Sequence, residues 1–113
     1  MGDMISARLA AEALIDREVE YIFTLSGGHI TSIYQYLENS SVKIFDTRHE
    51  QAAVFMAEAY GRITKKPGIA MVSAGPGFAN ALSAVMNAKL ANAPLLLIAG
   101  CAGMESTDKL DLQ

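Results

Sequence analysis

The segment that decides the fold is residues 68–80, which read Gly-Ile-Ala-Met-Val-Ser-Ala-Gly-Pro-Gly-Phe-Ala-Asn. Its first five residues form an uncharged apolar run, which is typical of a strand buried on both faces of a sheet. Gly75 and Pro76 follow, and glycine permits a tight turn while proline is favoured at the first position of a helix. The segment therefore predicts a buried strand, a glycine turn and a helix from Pro76 to Leu90.

The same order of apolar run and helical pattern recurs along the whole chain. Three further apolar runs predict strands, at Tyr21–Leu25, Val42–Phe45 and Pro94–Ile98. Apolar residues at helical spacing predict helices over Ile5–Leu14, Ile30–Leu37 and Glu50–Ile63. Because strands that alternate with helices form parallel sheets covered on both faces, we predict an α/β fold with a doubly wound, mostly parallel sheet in three flavodoxin-like layers.

Length and composition narrow the class of protein. The chain has 113 residues, 51% of them apolar, so we expect a single domain over residues 1–113 with a true core. The net charge of −3 and the scattered basic residues give no support for binding nucleic acid or an acidic membrane surface. The single cysteine, Cys101, excludes an intrachain disulfide. The N-terminus lacks the features of a signal peptide, and we expect a cytoplasmic protein.

Three loops follow the predicted strands at the edge where parallel sheets bind ligands. In the first loop, Gly27 and Gly28 allow the backbone to approach a ligand closely. His29 comes next and could act as an acid or base near neutral pH. An ordinary strand-to-helix turn with a half-exposed histidine explains the same residues, and spacing alone favours that simpler interpretation.

The second loop, Thr47-Arg-His-Glu50, has two interpretations. Thr-x-x-Glu is a capping box, with Thr47 as the N-cap and Glu50 at the third helical position. A carboxylate in the first helical turn is also favoured by the helix macrodipole. Alternatively, Glu50 faces the cleft at the strand end and exchanges a proton with a ligand. Composition does not choose between these two roles.

The third loop, Gly75 to Asn80, contains only part of a dinucleotide-binding fingerprint. Asn80 replaces the third glycine, and no acidic residue follows about twenty residues later. A phosphate could still bind at the N-terminus of the following helix. The histidines and Cys101 lack the spacing of a metal site, so we predict no metal ligands in this chain.

Six stretches, in their order and separation, resemble the N-terminal pyrimidine-binding domain of thiamine diphosphate-dependent enzymes. The resemblance is to the group of acetolactate synthases, 2-hydroxyacyl-CoA lyases and benzaldehyde lyase, and it covers nearly the whole chain. The matching stretches are Tyr21–Ile30, Asp46–Ala53, Ala57–Arg62, Ser73–Asn80, Ala93–Gly100 and Leu112–Gln113.

The resemblance implies a cofactor and a role for each site residue. Glu50 would hydrogen-bond the aminopyrimidine ring nitrogen of thiamine diphosphate and so activate the cofactor. His29 would face the reacting carbonyl of a small 2-keto or 2-hydroxyacyl substrate, where it could relay a proton or hold an oxyanion. The reaction would be a lyase, carboligase or decarboxylase reaction, and a flavin requirement stays open. The implied cofactor-binding residues are Gly27, Gly28, Glu50, Pro76, Gly77, Asn80 and Gln113.

The chain also departs from the family pattern. The family holds the diphosphate and magnesium with a Gly-Asp-Gly…Asn motif in a separate domain, and that motif is absent here. The resemblance therefore implies a partner domain or chain, a pyrimidine-binding domain that is C-terminally incomplete, and an inactive fragment. It further implies a homodimer through this domain, and we expect exposed apolar surface on the sheet edge and interface helices. The alternative is a non-catalytic α/β dimerisation or split-subunit module.

Overall fold

The computed structural model describes residues 2–103, so Gln113 lies outside the described part of the chain. Helices and strands alternate along the described residues, and a 3₁₀ turn (Gly28–Ile30) precedes the second helix. The elements are α1 (Gly2–Asp16), β1 (Tyr21–Thr24), α2 (Thr31–Leu37), β2 (Lys43–Asp46), α3 (Glu50–Thr64), β3 (Gly68–Val72), α4 (Pro76–Leu90) and β4 (Leu95–Ala99). Each strand and helix inferred from the apolar pattern is present, with boundaries shifted by a few residues at most.

The four strands form one sheet in the order β2-β1-β3-β4, and every pair is parallel. The chain adds β2 on one side of β1, crosses back to place β3 on the other side, and adds β4 beyond it. Helices α1 and α2 pack on one face of the sheet, and α3 and α4 pack on the other. This arrangement confirms the predicted doubly wound α/β fold in three layers.

Two separate apolar cores hold the layers together, because successive strand residues point to opposite faces of the sheet. On the first face, Ile22, Ile69 and Met71 pack against residues of α1 and α2. On the second face, Phe23 and the neighbouring strand residues pack against alanines of α3 and α4. These alanines are Ala53, Ala57, Ala81 and Ala84, all 0% exposed. Their small side chains allow the two helices to lie close to the sheet and to each other.

The edge strands differ from the sequence prediction of strands buried on both faces. All four residues of β2 are exposed, and Ile44 and Phe45 keep 40% and 45% of their surface accessible. Leu96 in the opposite edge strand is 47% exposed. An apolar run does not reveal whether its strand lies at the centre or the edge of the sheet, because that depends on the strand order. The exposed side chains of Ile44, Phe45 and Leu96 form the apolar surface that was expected along the sheet edge.

The outer surfaces of α3 and α4 also carry large apolar side chains. On α4, exposed residues recur every four positions, which places them in one stripe along the helix. Met71 of β3 is fully buried, whereas Met56 and Met86 on the helices are 40% and 57% exposed. The exposed apolar residues are Phe55, Met56 and Ile63 on α3, and Phe78, Leu82, Met86 and Leu90 on α4.

No helix within residues 2–103 has the length and apolar character required to cross a bilayer.

Gly68 provides a test of how closely α3 packs on the sheet. A Cβ atom built at Gly68 would lie 1.8 Å from the carbonyl oxygen of Ala57, so Gly68→Ala must displace the backbone of α3. We expect the free energy of unfolding to fall by about 1–3 kcal/mol, as for other overpacked core sites. Urea denaturation of the chain measures this loss. Gly103→Ala is the control, since its added Cβ meets no atom of the described residues 2–103 within 4 Å. Equal unfolding midpoints for the two variants would contradict the packing described.

Candidate functional site

The carboxyl ends of β1 and β3 form the crevice in which a ligand is expected. The two strands are neighbours in the sheet, but the helices that follow them, α2 and α4, lie on opposite faces. The loops after the strands therefore diverge and leave a gap, which is the usual ligand site of open α/β sheets. The first and third predicted loops border this gap, and Glu50 begins α3 beside it.

Glu50, Gly77 and Asn80 are brought together where α3 meets α4. Glu50 is half-buried, and the Nδ2 atom of Asn80 donates a hydrogen bond of 3.1 Å to its Oε2 atom. Gly77 lies beside the other carboxylate oxygen, since a Cβ built on Gly77 would be 3.3 Å from Oε1 of Glu50. Asn80 therefore binds one oxygen of the carboxylate, and the lack of a side chain at Gly77 lets the start of α4 lie close to the other.

The predicted capping box at the start of α3 is wrong. The helix begins at Glu50 with His49 as its N-cap, and the Nδ1 atom of His49 accepts a 3.1 Å hydrogen bond from the backbone N–H of Gln51. Thr47 instead turns inward, where its hydroxyl lies 2.9 Å from the carbonyl oxygens of both Thr24 and His49. Glu50 is thus the first helical residue rather than the third, and its side chain is not folded back onto the helix N-terminus.

Gly75 and Pro76 set the direction of α4 as it leaves the crevice. Gly75 has φ 57° and ψ −118°, a conformation that a residue with a Cβ atom rarely adopts. Pro76 begins the helix, where its missing N–H leaves no hydrogen bond unmade. Pro76 is exposed at the rim of the crevice, and Gly77 is buried beneath Glu50. The structure therefore places Pro76, Gly77 and Asn80 on one helix turn beside the carboxylate.

The loop after β1 carries Gly27, Gly28 and His29 to the same crevice. Gly27 packs against Ser73, because a Cβ on Gly27 would lie only 2.6 Å from the Ser73 hydroxyl oxygen. A Cβ on Gly28 would meet no atom of residues 2–103 within 4 Å, so no packing contact among them requires glycine there. His29 is exposed, and its Nδ1 atom lies 3.3 Å from the hydroxyl oxygen of Ser73. Ser73 thus lies between the His29 loop and the Gly77 turn.

Ser73 and Asp46 are site residues that the sequence interpretation did not select. Asp46 accepts hydrogen bonds from the backbone N–H and the hydroxyl of Ser26, at 3.2 and 3.3 Å, which ties the loop after β1 to the end of β2. Both residues stand at strand ends, and this position was the available signal. Tyr34 lies behind the loop with its hydroxyl against Thr24, and burial raises the pKa of that phenol above its ordinary value.

The remaining predictions concern other parts of the chain. Within residues 2–103, no three His, Cys, Asp or Glu side chains form a group that could hold a metal ion. Two open grooves, of about 680 and 460 Å³, lie at the amino ends of the strands, away from the crevice. None of the crevice residues described above lines either groove.

Comparison with known proteins gives one family. A profile described as "Thiamine pyrophosphate enzyme, N-terminal TPP binding domain" matches residues 4–113. The chain is 50% identical over 94 residues to 2-hydroxyacyl-CoA lyase 2 of Caenorhabditis elegans, covering 83% of this chain and 15% of that protein. It is 40% identical over 113 residues to the acetolactate synthase large subunit of Mycobacterium tuberculosis, covering 96% of this chain and 21% of that protein. With the human 2-hydroxyacyl-CoA lyase 2 it shares 39% identity over 119 residues, covering 98% of this chain and 18% of that protein. The chain therefore spans about a fifth or less of the length of these relatives.

The hydrogen bond between Asn80 and Glu50 can be measured by a double-mutant cycle in the chain. We expect Asn80→Ala and Glu50→Ala to be coupled by about 0.5–1.5 kcal/mol of unfolding free energy, the usual net contribution of one hydrogen bond. Urea denaturation of the wild type, both single variants and the double variant gives the coupling. Asn39→Ala, at an exposed asparagine in the turn after α2, serves as the uncoupled control. Strict additivity of the Asn80 and Glu50 changes would show that the carboxylate is not held by Asn80.

Proposed function

The chain belongs to the family of thiamine pyrophosphate enzymes as their N-terminal TPP binding domain, and from this premise we propose that it supplies the pyrimidine-binding half of a thiamine diphosphate site. The proposed enzyme is a lyase, carboligase or decarboxylase that acts on 2-keto or 2-hydroxyacyl substrates. The relatives named lyases and synthases support this range of reactions.

The observation that carries the proposal is the arrangement of the Glu50 carboxylate. Its Oε2 atom is held by Asn80, and its Oε1 atom lies next to the buried Gly77. A basic ring nitrogen is bound well by a carboxyl group that is held in one orientation, and the Glu50 carboxyl group meets this condition. We propose that the pyrimidine end of thiamine diphosphate would bind there, with Gly27, Gly28, Pro76 and Gly77 as lining residues.

Each residue has a defined task in the proposed reaction. When bound, thiamine diphosphate supplies the carbon centre that adds to a carbonyl and the electron sink that stores its electron pair. Glu50 would hydrogen-bond the ring nitrogen of the pyrimidine and hold a proton at its carboxyl group. Asn80 keeps the carboxylate in one orientation, and His29 donates a hydrogen bond to, or exchanges a proton with, the oxygen of the substrate carbonyl.

The other half of the site is proposed to lie outside this sequence. The described residues offer no cluster of acidic or histidine ligands for a metal ion, so we assign the diphosphate and magnesium to another segment or chain. The shares of 15–21% that the chain covers in its relatives support this assignment. On this view the chain alone binds the pyrimidine end weakly and does not turn over substrate.

A second candidate, a non-catalytic dimerisation module, is favoured by one observation. The outer faces of α3 and α4 expose seven large apolar side chains, and such a patch marks an interaction surface. We propose that a second copy of the chain covers this face, which is compatible with either candidate. The two candidates differ in their requirement for Glu50.

Replacing Glu50 tests the catalytic proposal. In the protein that contains this chain together with its complete cofactor site, we expect Glu50→Gln to lower kcat by at least about 100-fold, because the amide cannot accept the proton that the carboxylate holds. Steady-state product formation from a 2-keto acid and from a 2-hydroxyacyl-CoA measures the effect. Glu12→Gln, at an exposed glutamate of α1 that pairs with Arg8, is the control. Wild-type turnover by Glu50→Gln, or no thiamine diphosphate binding by the unaltered protein, would favour the dimerisation module.

The dimer proposal has its own test. We expect the variant Leu82→Glu/Met86→Glu to sediment as a monomer at concentrations at which the unaltered chain forms dimers, because each copy would bring two buried carboxylates into an apolar contact. Analytical ultracentrifugation measures the dissociation constant. Leu9→Glu, which changes an exposed leucine on α1, on the other side of the sheet, should leave the dimer intact. A monomeric wild-type chain at high concentration would contradict the proposal.

A further inference from the structure

Ser73 occupies the centre of the crevice, and the proposed reaction gives it no task. It is the first residue after β3, and its side chain borders three of the predicted site residues. A Cβ built on Gly27 would lie 2.5 Å from its Cβ atom, and a Cβ built on Gly77 would lie 3.5 Å from the same atom. Its hydroxyl oxygen is 3.3 Å from Nδ1 of His29. A side chain at position 27 would overlap with the Ser73 side chain, so glycine there allows the Ser73 hydroxyl to lie next to the histidine.

The geometry points to Ser73 as the residue that selects the tautomer of His29. In the part of the chain that the structure describes, Nδ1 of His29 is the only hydrogen-bond partner of the Ser73 hydroxyl. The contact identifies the two atoms and not the donor, and in this proposal the serine donates its proton to Nδ1, which then carries a lone pair. A neutral imidazole with an unprotonated Nδ1 carries its proton on Nε2. Ser73 is thus a positioning residue that leaves an Nε2–H donor on the side of the ring opposite the serine.

A second contact confines the same histidine from another strand. A Cβ built on Gly100 would lie 2.5 Å from the Cβ atom of His29 and 3.2 Å from its carbonyl oxygen. Gly100 is itself fixed, because its backbone N–H donates a 3.0 Å hydrogen bond to the carbonyl oxygen of Val72. The ends of β3 and β4 therefore form a socket for His29, in which Ser73 meets the ring and Gly100 meets its Cβ and backbone.

The consequence of this socket for catalysis rests on the proposed function. An Nε2–H group stabilises negative charge that develops on the oxygen of a reacting carbonyl, whereas the other tautomer presents a lone pair at that position and repels it. The free energy of the bond to Ser73 is small, but it biases the ring before any substrate is bound. His29 is then already a hydrogen-bond donor when the substrate binds, and no free energy is needed to change its tautomer during the reaction.

The first test reads the tautomer directly in the chain, without cofactor or substrate. Long-range ¹H–¹⁵N correlation spectra, recorded where imidazole rings are neutral, give the ratio of the Nε2–H to the Nδ1–H form of His29. We expect the Nε2–H form to dominate and Ser73→Ala to lower the ratio about fivefold, as loss of one hydrogen bond implies. Ser73→Thr should preserve it, and so should Ser83→Ala, which removes a hydroxyl that contacts Gln51. An unchanged ratio in Ser73→Ala, or a dominant Nδ1–H form in the unaltered chain, would overturn the inference.

Gly100 is tested in the same spectra. We expect Gly100→Ala to displace the His29 resonances, since the added methyl group must push the side chain aside. Gly103→Ala adds a methyl group on the same loop that contacts no atom of residues 2–103, and it should leave these resonances in place. Unmoved His29 resonances in Gly100→Ala would show that the socket does not hold the ring.

The second test asks whether Ser73 acts through His29 in the complete enzyme. We expect Ser73→Ala to lower kcat about tenfold, less than the full loss of an oxyanion donor, with no change in the dissociation constant of thiamine diphosphate. In a His29→Ala background the same change should have no further effect, whereas a merely structural role would lower kcat again. If Glu50→Gln kept full turnover, the proposed function would be wrong, but the measured tautomer of His29 would still hold. If Glu50→Gln were inactive and Ser73→Ala left the tautomer ratio unchanged, only the inference about Ser73 would be wrong.

Discussion

The parallel pairing of β1 with β3 is the contact on which the rest of the structure depends. Its register sets Ile22 opposite Ile69 and Thr24 opposite Met71, so both strands end together at the same edge of the sheet. A shift of one residue would turn each apolar side chain to the other face and exchange the two cores. The hydroxyl of Thr24 reinforces the register, because it is fully buried and donates to the carbonyl oxygen of Met71 at 2.8 Å. This pairing brings the Gly27 loop against Ser73.

The contact between α3 and α4, here called the seam, fixes where Glu50 lies relative to the sheet. Polar contacts follow the two helices, from Glu50 with Asn80 to Gln51 with Ser83 at 2.6 Å. At the far end, Glu58 is 3% exposed and accepts hydrogen bonds of 3.1 and 2.8 Å from one amide nitrogen of Asn87. Arg62 lies 3.6 Å from the same carboxylate and offsets its charge. Burying a carboxylate costs free energy unless hydrogen bonds and a positive charge stabilise it. These contacts of Glu58 are made in one arrangement of α3 against α4, and they therefore favour that arrangement.

The position of the crevice could be predicted from sequence, because the carboxyl ends of parallel strands meet at one edge of the sheet. Glu50 and His29 follow strands within a few residues, and Asn80 lies in the first turns of the helix after β3. The capping prediction failed because Thr47 and His49 can both cap a helix, and only the inward turn of Thr47 onto Thr24 removes it from that role. Ser73 escaped notice because its partner, His29, is 44 residues away in the chain, and no local pattern records that contact.

The sequence by itself determined the alternation of strands and helices, the apolar faces that form the two cores, and the family to which the chain belongs. These features are local, since they depend on the spacing of side chains along one strand or helix and on short motifs at strand ends. Tertiary structure alone decided that β2 and β4 lie at the sheet edges, so that Ile44, Phe45 and Leu96 are exposed. It also decided which oxygen of Glu50 is held by Asn80 and which ring nitrogen of His29 contacts Ser73. The reason is physical: strand order and helix contact join residues far apart in the chain, and their burial and hydrogen bonds exist only once those elements have packed.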